Sequence, residues 1–198
     1  TYINSLDTGN TTILDEIEKE AIDTYVPIIR KEMQSFLKLI LAIKKPARIL
    51  EVGTAVGFSA ILMAEYNPVS CEITTIENYE KRIPIARENF KRAGKDGMIT
   101  LLEGDAAEVL KTLNEPYDFI FMDAAKGQYI HFLPEILRLL AEDGVLVSDN
   151  VLQDGDIIES RFAVTRRNRT IHKRMRDYLY ELTHHENLVT SVLPIGDG

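Results

Sequence analysis

The residues of this 198-residue chain best equipped for chemistry are an aspartate closing one apolar run, a lysine three positions later, and an Asp-Asn pair closing another run. The first run is YDFIFMD (117–123), followed by AAKGQY, so Asp123 and Lys126 are neighbours. The second is GVLVSD (144–149), with Asn150 behind it. Three hard oxygen donors without His or Cys suit Mg²⁺ (or Mn²⁺), which keeps positions open for water or substrate. A partly desolvated lysine beside a dication gives up its proton more readily, which fits Lys126 to act as a base toward a hydroxyl. The dication would acidify that hydroxyl and fix its oxygen. Taken singly, Asp149-Asn150 reads as a turn and Lys126 as an ion-pair partner of Asp123. Their coincidence points to a site.

For these side chains to meet, the runs that carry them must be neighbouring strands. After residue 46 the chain alternates β-like runs (47–52, 72–77, 98–103, 117–123, 144–149 and 188–195) with helical stretches such as 79–94 and 129–144. This alternation predicts βαβ units, hence an α/β fold with a doubly wound, mostly parallel, Rossmann-like sheet covered on both faces. Residues 11–45 read as two amphipathic helices with apolar positions at Ile13, Leu14, Ile17 and Ile22 and with Pro27 near the start of the second. The expectation is one domain over 1–198, with a helical addition (1–45) before the core (46–198). In such sheets ligands bind at the carboxyl ends of the strands, and neighbouring strand ends lie about 4.8 Å apart.

Other strand ends suggest what binds beside the cation. In ILEVGTAVGFS, Gly53 and Gly57 allow a tight turn and close backbone approach. Their Gly-x-x-x-Gly spacing is not the pyrophosphate fingerprint. Glu51 would repel a diphosphate and attract an ammonium group, which also speaks against a nicotinamide dehydrogenase. Glu77 closes the second run, where an acid accepts hydrogen bonds from ribose hydroxyls. In GDA (104–106), Asp105 or the adjoining backbone is suited to an adenine amino group. An adenosine bearing an amino-acid tail and no phosphate fits all of these, which means S-adenosylmethionine.

Taken together, ILEVGTAVGFS, the Glu77 strand end, GDA, MDAAKGQY and VSDN resemble the metal-dependent O-methyltransferases of the catechol and caffeoyl-CoA type, over about residues 25–198. The resemblance implies a class I methyltransferase fold, with Asp123, Asp149 and Asn150 on the metal and Lys126 as catalytic lysine. It implies that Glu51, Gly53, Ser59, Glu77, Asp105, Ala106 and Asp123 lie around the cofactor, and that the protein is a homodimer. Ala125 stands where catechol methyltransferases carry a tryptophan, and the chain has no Trp. The LPIGDG ending, where relatives continue into another strand, and the Thr1 start suggest native ends further out.

The net charge of −8 is unevenly spread. Residues 161–176, RFAVTRRNRTIHKRMR, carry seven cations and no acid, leaving −15 on everything else. The run follows VSDN closely and is expected near the site mouth. An RNA backbone calls for such cations, a small phenol does not, and 5-hydroxyuridine offers two adjacent oxygens for a dication. The segment VLQDGDIIESRFAVTRRNRTIHKRMRDYLYEL further resembles bacterial tRNA 5-hydroxyuridine methyltransferases. That resemblance implies a tRNA anticodon loop as substrate, methylated at the wobble position. Arg161, Arg166, Arg167, Arg169, Lys173 and Arg174 would then meet RNA. The alternative is a small-molecule O-methyltransferase acting on catechol-like or acyl-CoA phenols, with the basic run on a CoA phosphate or in solvent. A non-enzymatic RNA-binding module is disfavoured by the intact Asp123, Lys126, Asp149 and Asn150 set.

Other residues carry less. Tyr129 fits either the substrate mouth or the core. His131 reads as a packing or surface residue, and His184-His185 as a helix end. The single Cys71 excludes a disulfide framework and suits a reducing compartment. FLKLILAI (36–43) is too short for a membrane span, and no signal pattern leads the chain, so the expected location is cytoplasmic.

Overall fold

The computed structural model describes residues 2, 6, 8–160 and 162–195. Two helices come first, α1 (Thr12–Asp23) and α2 (Lys31–Lys44). The core then alternates: β1 (Arg48–Val52), α3 (Phe58–Tyr66), β2 (Glu72–Glu77), α4 (Ile83–Arg92), β3 (Ile99–Glu103), α5 (Ala106–Thr112), β4 (Tyr117–Met122), α6 (Tyr129–Leu139), β5 (Leu140–Ser148) and α7 (Arg169–His184). The strands form one sheet in the order β3-β2-β1-β4-β5, all pairs parallel. This is the doubly wound, parallel α/β sheet expected from the alternation.

Side-chain alternation along the strands divides the core. Ile49, Ile73, Ile99, Phe119 and Phe121 face one layer, where α1, α2, α3 and α4 cover them. Leu50, Val52, Ile76, Ile120 and Met122 face the other, under α5, α6 and α7. β4 reads as a continuous apolar run from Phe119 to Met122 because both of its faces are buried. Each fully buried Leu, Ile or Phe of these layers contributes roughly 1.5–3 kcal/mol by leaving water. Of the N-terminal helices' apolar positions, Leu14 and Ile17 are buried against the body and Ile22 faces solvent.

Two expectations are corrected. The helix expected over 129–144 ends at Leu139, and β5 starts at Leu140, opposite Tyr117. The register then shifts: Tyr117 and Phe119, two positions apart, face Leu140 and Val145, five apart. A helical pattern running into an apolar strand gave no boundary signal, and Asp143 with φ 60° marks the irregularity. The run 188–195 is not a strand. A strand requires a ladder partner, whereas the backbone bonds here stay local, from Leu188 N–H to His185 O and from Ile195 N–H to Leu193 O. A cavity of about 790 Å³ separates this segment from β5.

Candidate active site

The sheet order reverses direction of progress between β1 and β4, and a crevice opens beyond the strand ends at such a point. It has a volume of about 840 Å³. Gly53, Glu77, Asp105, Ala106, Asp123, Lys126, Asp149 and Asn150 all line it. Eight residues chosen on sequence grounds, from five strand ends, therefore share one cavity.

Gly53 sets its geometry. It has φ 106°, and a Cβ there would lie 2.1 Å from the carbonyl oxygen of Asp123. Only glycine lets the turn after β1 approach the end of β4 this closely. The turn is pinned from β2 by Glu77, whose Oε2 accepts from Ala55 N–H at 2.7 Å and whose Oε1 accepts from the amides of Asn78 and Tyr79. Asp105 caps α5, accepting from Ala107 N–H at 2.8 Å, and this holds its carboxylate at the rim.

Glu51 and Ser59 do not line the cavity. Glu51 is fully buried and accepts short hydrogen bonds from Ser59 Oγ and Thr75 Oγ1, both at 2.5 Å. Thr75 pairs in turn with Thr54. Burial pushes the Glu51 carboxyl up to about 8, with the charges of Asp123 and Glu77 adding to the rise and the two hydroxyl donors opposing it. With a proton bound, the carboxyl donates to one of these hydroxyls, and Thr75 can accept it by turning its own proton to Thr54.

On the other side, Asp123 N–H bonds Val52 O and Asp149 N–H bonds Met122 O, so the two aspartates follow directly from paired strand ends. Lys126 opens a short 3₁₀ turn (Lys126–Gln128). Its Nζ donates to Asp123 Oδ1 at 2.9 Å, to Tyr129 Oη at 3.0 Å and to Asp149 O at 3.0 Å. The simple ion pair is present, within a wider set of contacts. Asn150 adopts φ 52°, and its buried Oδ1 has no hydrogen-bond partner. A buried amide oxygen left unpaired carries a cost of roughly 1–3 kcal/mol unless something meets it. Two carboxylates and this orphaned oxygen, lining one cavity, fit a hard dication. No group of three His, Cys, Asp or Glu that could hold a metal occurs among the described residues.

The basic run lies beside this side of the cleft. Arg174 Nη1 donates to Gly127 O at 3.1 Å, and Tyr178 meets Ser148 at 2.6 Å, which anchors α7 to the end of β5. Arg166, Arg167 and Lys173 are exposed. Arg169 lies 5.9 Å from the exposed Phe162 ring, and Lys173 sits 3.9 Å from Asp177. Arg176 is engaged by the carbonyls of Ile157, Ile158 and Glu159. Arg161 falls outside the described residues. His131 is exposed, and His184 ends α7 stacked on Tyr180.

Sequence reasoning missed Pro27–Arg30, the α1–α2 connector, and also Tyr79, Arg82 and Phe132, all of which line the crevice. The connector carries no motif, and only the packing of α1 and α2 brings it there. Tyr129 is not at the mouth. It is fully buried beneath Lys126.

A sequence profile described as O-methyltransferase matches residues 4–198. The chain belongs to this O-methyltransferase family. It is 34% identical over 128 residues to the catechol O-methyltransferase of Niastella koreensis, covering 63% of this chain and 58% of that protein. It is 29% identical over 177 residues to the caffeoyl-CoA O-methyltransferase of Medicago sativa, covering 82% of this chain and 69% of that one. The crystal structure of the O-methyltransferase from Bacillus cereus in complex with SAH superposes with TM-score 0.82 at 26% identity, over 93% of this chain and 84% of that one. This O-methyltransferase-family chain therefore spans less than two thirds of the Niastella protein's length. No described helix is long and apolar enough to cross a membrane.

Proposed function

We propose that this protein transfers the methyl group of S-adenosylmethionine to one of two neighbouring oxygens on a catechol-like small phenol. The observation that carries the reading is the convergence of Asp123, Lys126, Asp149 and the orphaned Asn150 Oδ1 in the crevice that Gly53 and Glu77 also line. Glu77 retains acceptor capacity beyond its three amide bonds and takes the ribose hydroxyls. Gly53 lets the turn after β1 seat directly against Asp123 at the cofactor's edge of the crevice, and Asp105 with Ala106 borders the base. Asp123, Asp149 and Asn150 would hold Mg²⁺ or Mn²⁺, which supplies charge stabilisation to an ionising hydroxyl and fixes its orientation. Lys126 Nζ takes the hydroxyl proton. The oxygen then attacks the sulfonium methyl in line, the carbon–sulfur bond breaks, and its electron pair stays on sulfur. No covalent enzyme intermediate forms, and catalysis rests on positioning and electrostatics.

The names of the relatives, catechol and caffeoyl-CoA O-methyltransferase, favour a small phenol over RNA. A second reading keeps 5-hydroxyuridine of the tRNA anticodon loop as the acceptor. What supports it is the cationic start of α7 beside the Lys126–Gln128 turn, with Arg166, Arg167 and Lys173 exposed. The test is methyl transfer from labelled S-adenosylmethionine to dihydroxybenzoate and to tRNA bearing 5-hydroxyuridine, with Mg²⁺ and with EDTA. Turnover of neither, or turnover indifferent to EDTA, rejects the mechanism. Turnover of tRNA alone selects the second reading.

A further inference from the structure

We propose that Tyr129 is the positioning residue of Lys126: its buried hydroxyl fixes the lysine nitrogen against the Asp123–Asp149 strand ends. The inference rests on the reading of Lys126 as the base.

Tyr129 is the first residue of α6 and is wholly buried, its ring edge-on to Tyr178 at 5.4 Å. Its hydroxyl oxygen lies 2.8 Å from Met122 O, 3.0 Å from Lys126 Nζ, and 3.3 Å from both Ala124 N and Asp149 O. A phenol has one proton and two lone pairs. As an ammonium, Lys126 only donates, as the amide does, and the carbonyls only accept, so in that state the assignment is forced. The lone pairs receive Lys126 and Ala124, and the proton goes to a carbonyl, with Met122 O the nearer. Burial, reinforced by the Asp123 charge, holds this phenol well above the usual tyrosine range, so it stays a neutral O–H.

The hydroxyl is not needed for strand satisfaction. Met122 O already accepts from Asp149 N–H at 2.9 Å. Its distinctive partner is the lysine. An ammonium has three N–H groups, and Lys126 has three acceptors: Asp123 Oδ1, Asp149 O and Tyr129 Oη. Asp123 is the acceptor that a dication would claim. The other two are a backbone carbonyl and a packed ring, neither free to move. They keep the nitrogen in place when the carboxylate is shared. The spacing is legible afterwards in the sequence, because side chains three apart across a 3₁₀ turn stack on one face.

The experiment compares wild type, Tyr129→Phe, Lys126→Met and the double variant. Phenylalanine keeps the ring and its packing. Turnover is measured with S-adenosylmethionine and whichever of dihydroxybenzoate or 5-hydroxyuridine tRNA is methylated. In parallel, reductive methylation by formaldehyde is followed at Lys126, relative to the exposed Lys81, by mass spectrometry. Expected for Tyr129→Phe are unchanged SAH binding, unchanged KM for S-adenosylmethionine, and a kcat lower by about ten- to hundredfold. Labelling of Lys126 is expected to rise severalfold, and the double variant to be no slower than Lys126→Met. Unaltered labelling of Lys126 in Tyr129→Phe overturns the proposal, whatever happens to turnover. So does a kcat loss that adds fully to that of Lys126→Met. Full activity in Lys126→Met would instead reject the lysine as base, while the labelling comparison still decides what Tyr129 does.

Discussion

Replacing Glu51 by glutamine should flatten the pH dependence of this protein's stability. The Glu51 carboxyl is fully buried, and burial raises it from 4.5 to about 8. The folded state therefore keeps a proton that the unfolded chain releases above pH 4.5. Between these values the folded state binds one more proton, so stability falls as pH rises, at about 1.4 kcal/mol per pH unit. This contribution is complete below pH 4.5 and is lost as pH passes 8. The full span is about 5 kcal/mol, or about 3 kcal/mol by pH 7. Glutamine carries no proton to lose. It must also re-pair Ser59 and Thr75, and Thr75 can turn its own proton toward Thr54. Urea unfolding of both proteins at intervals from pH 5 to 8 gives the two slopes. Other groups titrate equally in both, so the difference isolates Glu51. The expected difference is close to the single-proton value, with the variant gaining on wild type as pH rises. Parallel curves would refute the assignment of a buried proton to this carboxyl.

Further outcomes follow from the same geometry. Gly53→Ala drives a methyl to 2.1 Å from Asp123 O in a positive-φ backbone, and should lower stability by more than about 2 kcal/mol in urea titration. Asn150→Gly keeps the left-handed backbone while deleting an amide oxygen that nothing satisfies; unfolding free energy should hold within about 1 kcal/mol while Mn²⁺ affinity, followed by electron paramagnetic resonance, falls at least about tenfold. Charge reversal at Arg166, Arg167 and Arg169 should weaken tRNA binding and its salt dependence under the second reading, and leave methylation of dihydroxybenzoate unchanged under the first.

Much of the cleft was readable from residue types because a parallel sheet gathers strand ends. Once the apolar runs were recognised, Asp123 and Asp149 had to be neighbours, and Glu77 and Asp105 had to share their edge. What the sequence concealed depended on contacts distant along the chain. The connector Pro27–Arg30 reaches the crevice only because α1 and α2 dock on α3. The run 188–195 has a strand's alternation but no hydrogen-bonding neighbour, and alternation alone makes no ladder. Glu51 looked like a cofactor contact, yet it lies off the cavity wall, satisfied by Ser59 and Thr75. Tyr129 was ambiguous because a buried ring with a working hydroxyl has the same pattern as an ordinary core aromatic.

The missing side chain at position 53 has one more implication. Backbone of the loop after β1 and backbone at the end of β4 touch there with nothing interposed, so under the proposed function the two reactants of a methyl transfer would be registered to each other through main chain alone. Acceptor preference can therefore drift through the rim, at Ala125 or along 27–30, without disturbing the alignment of donor and nucleophile.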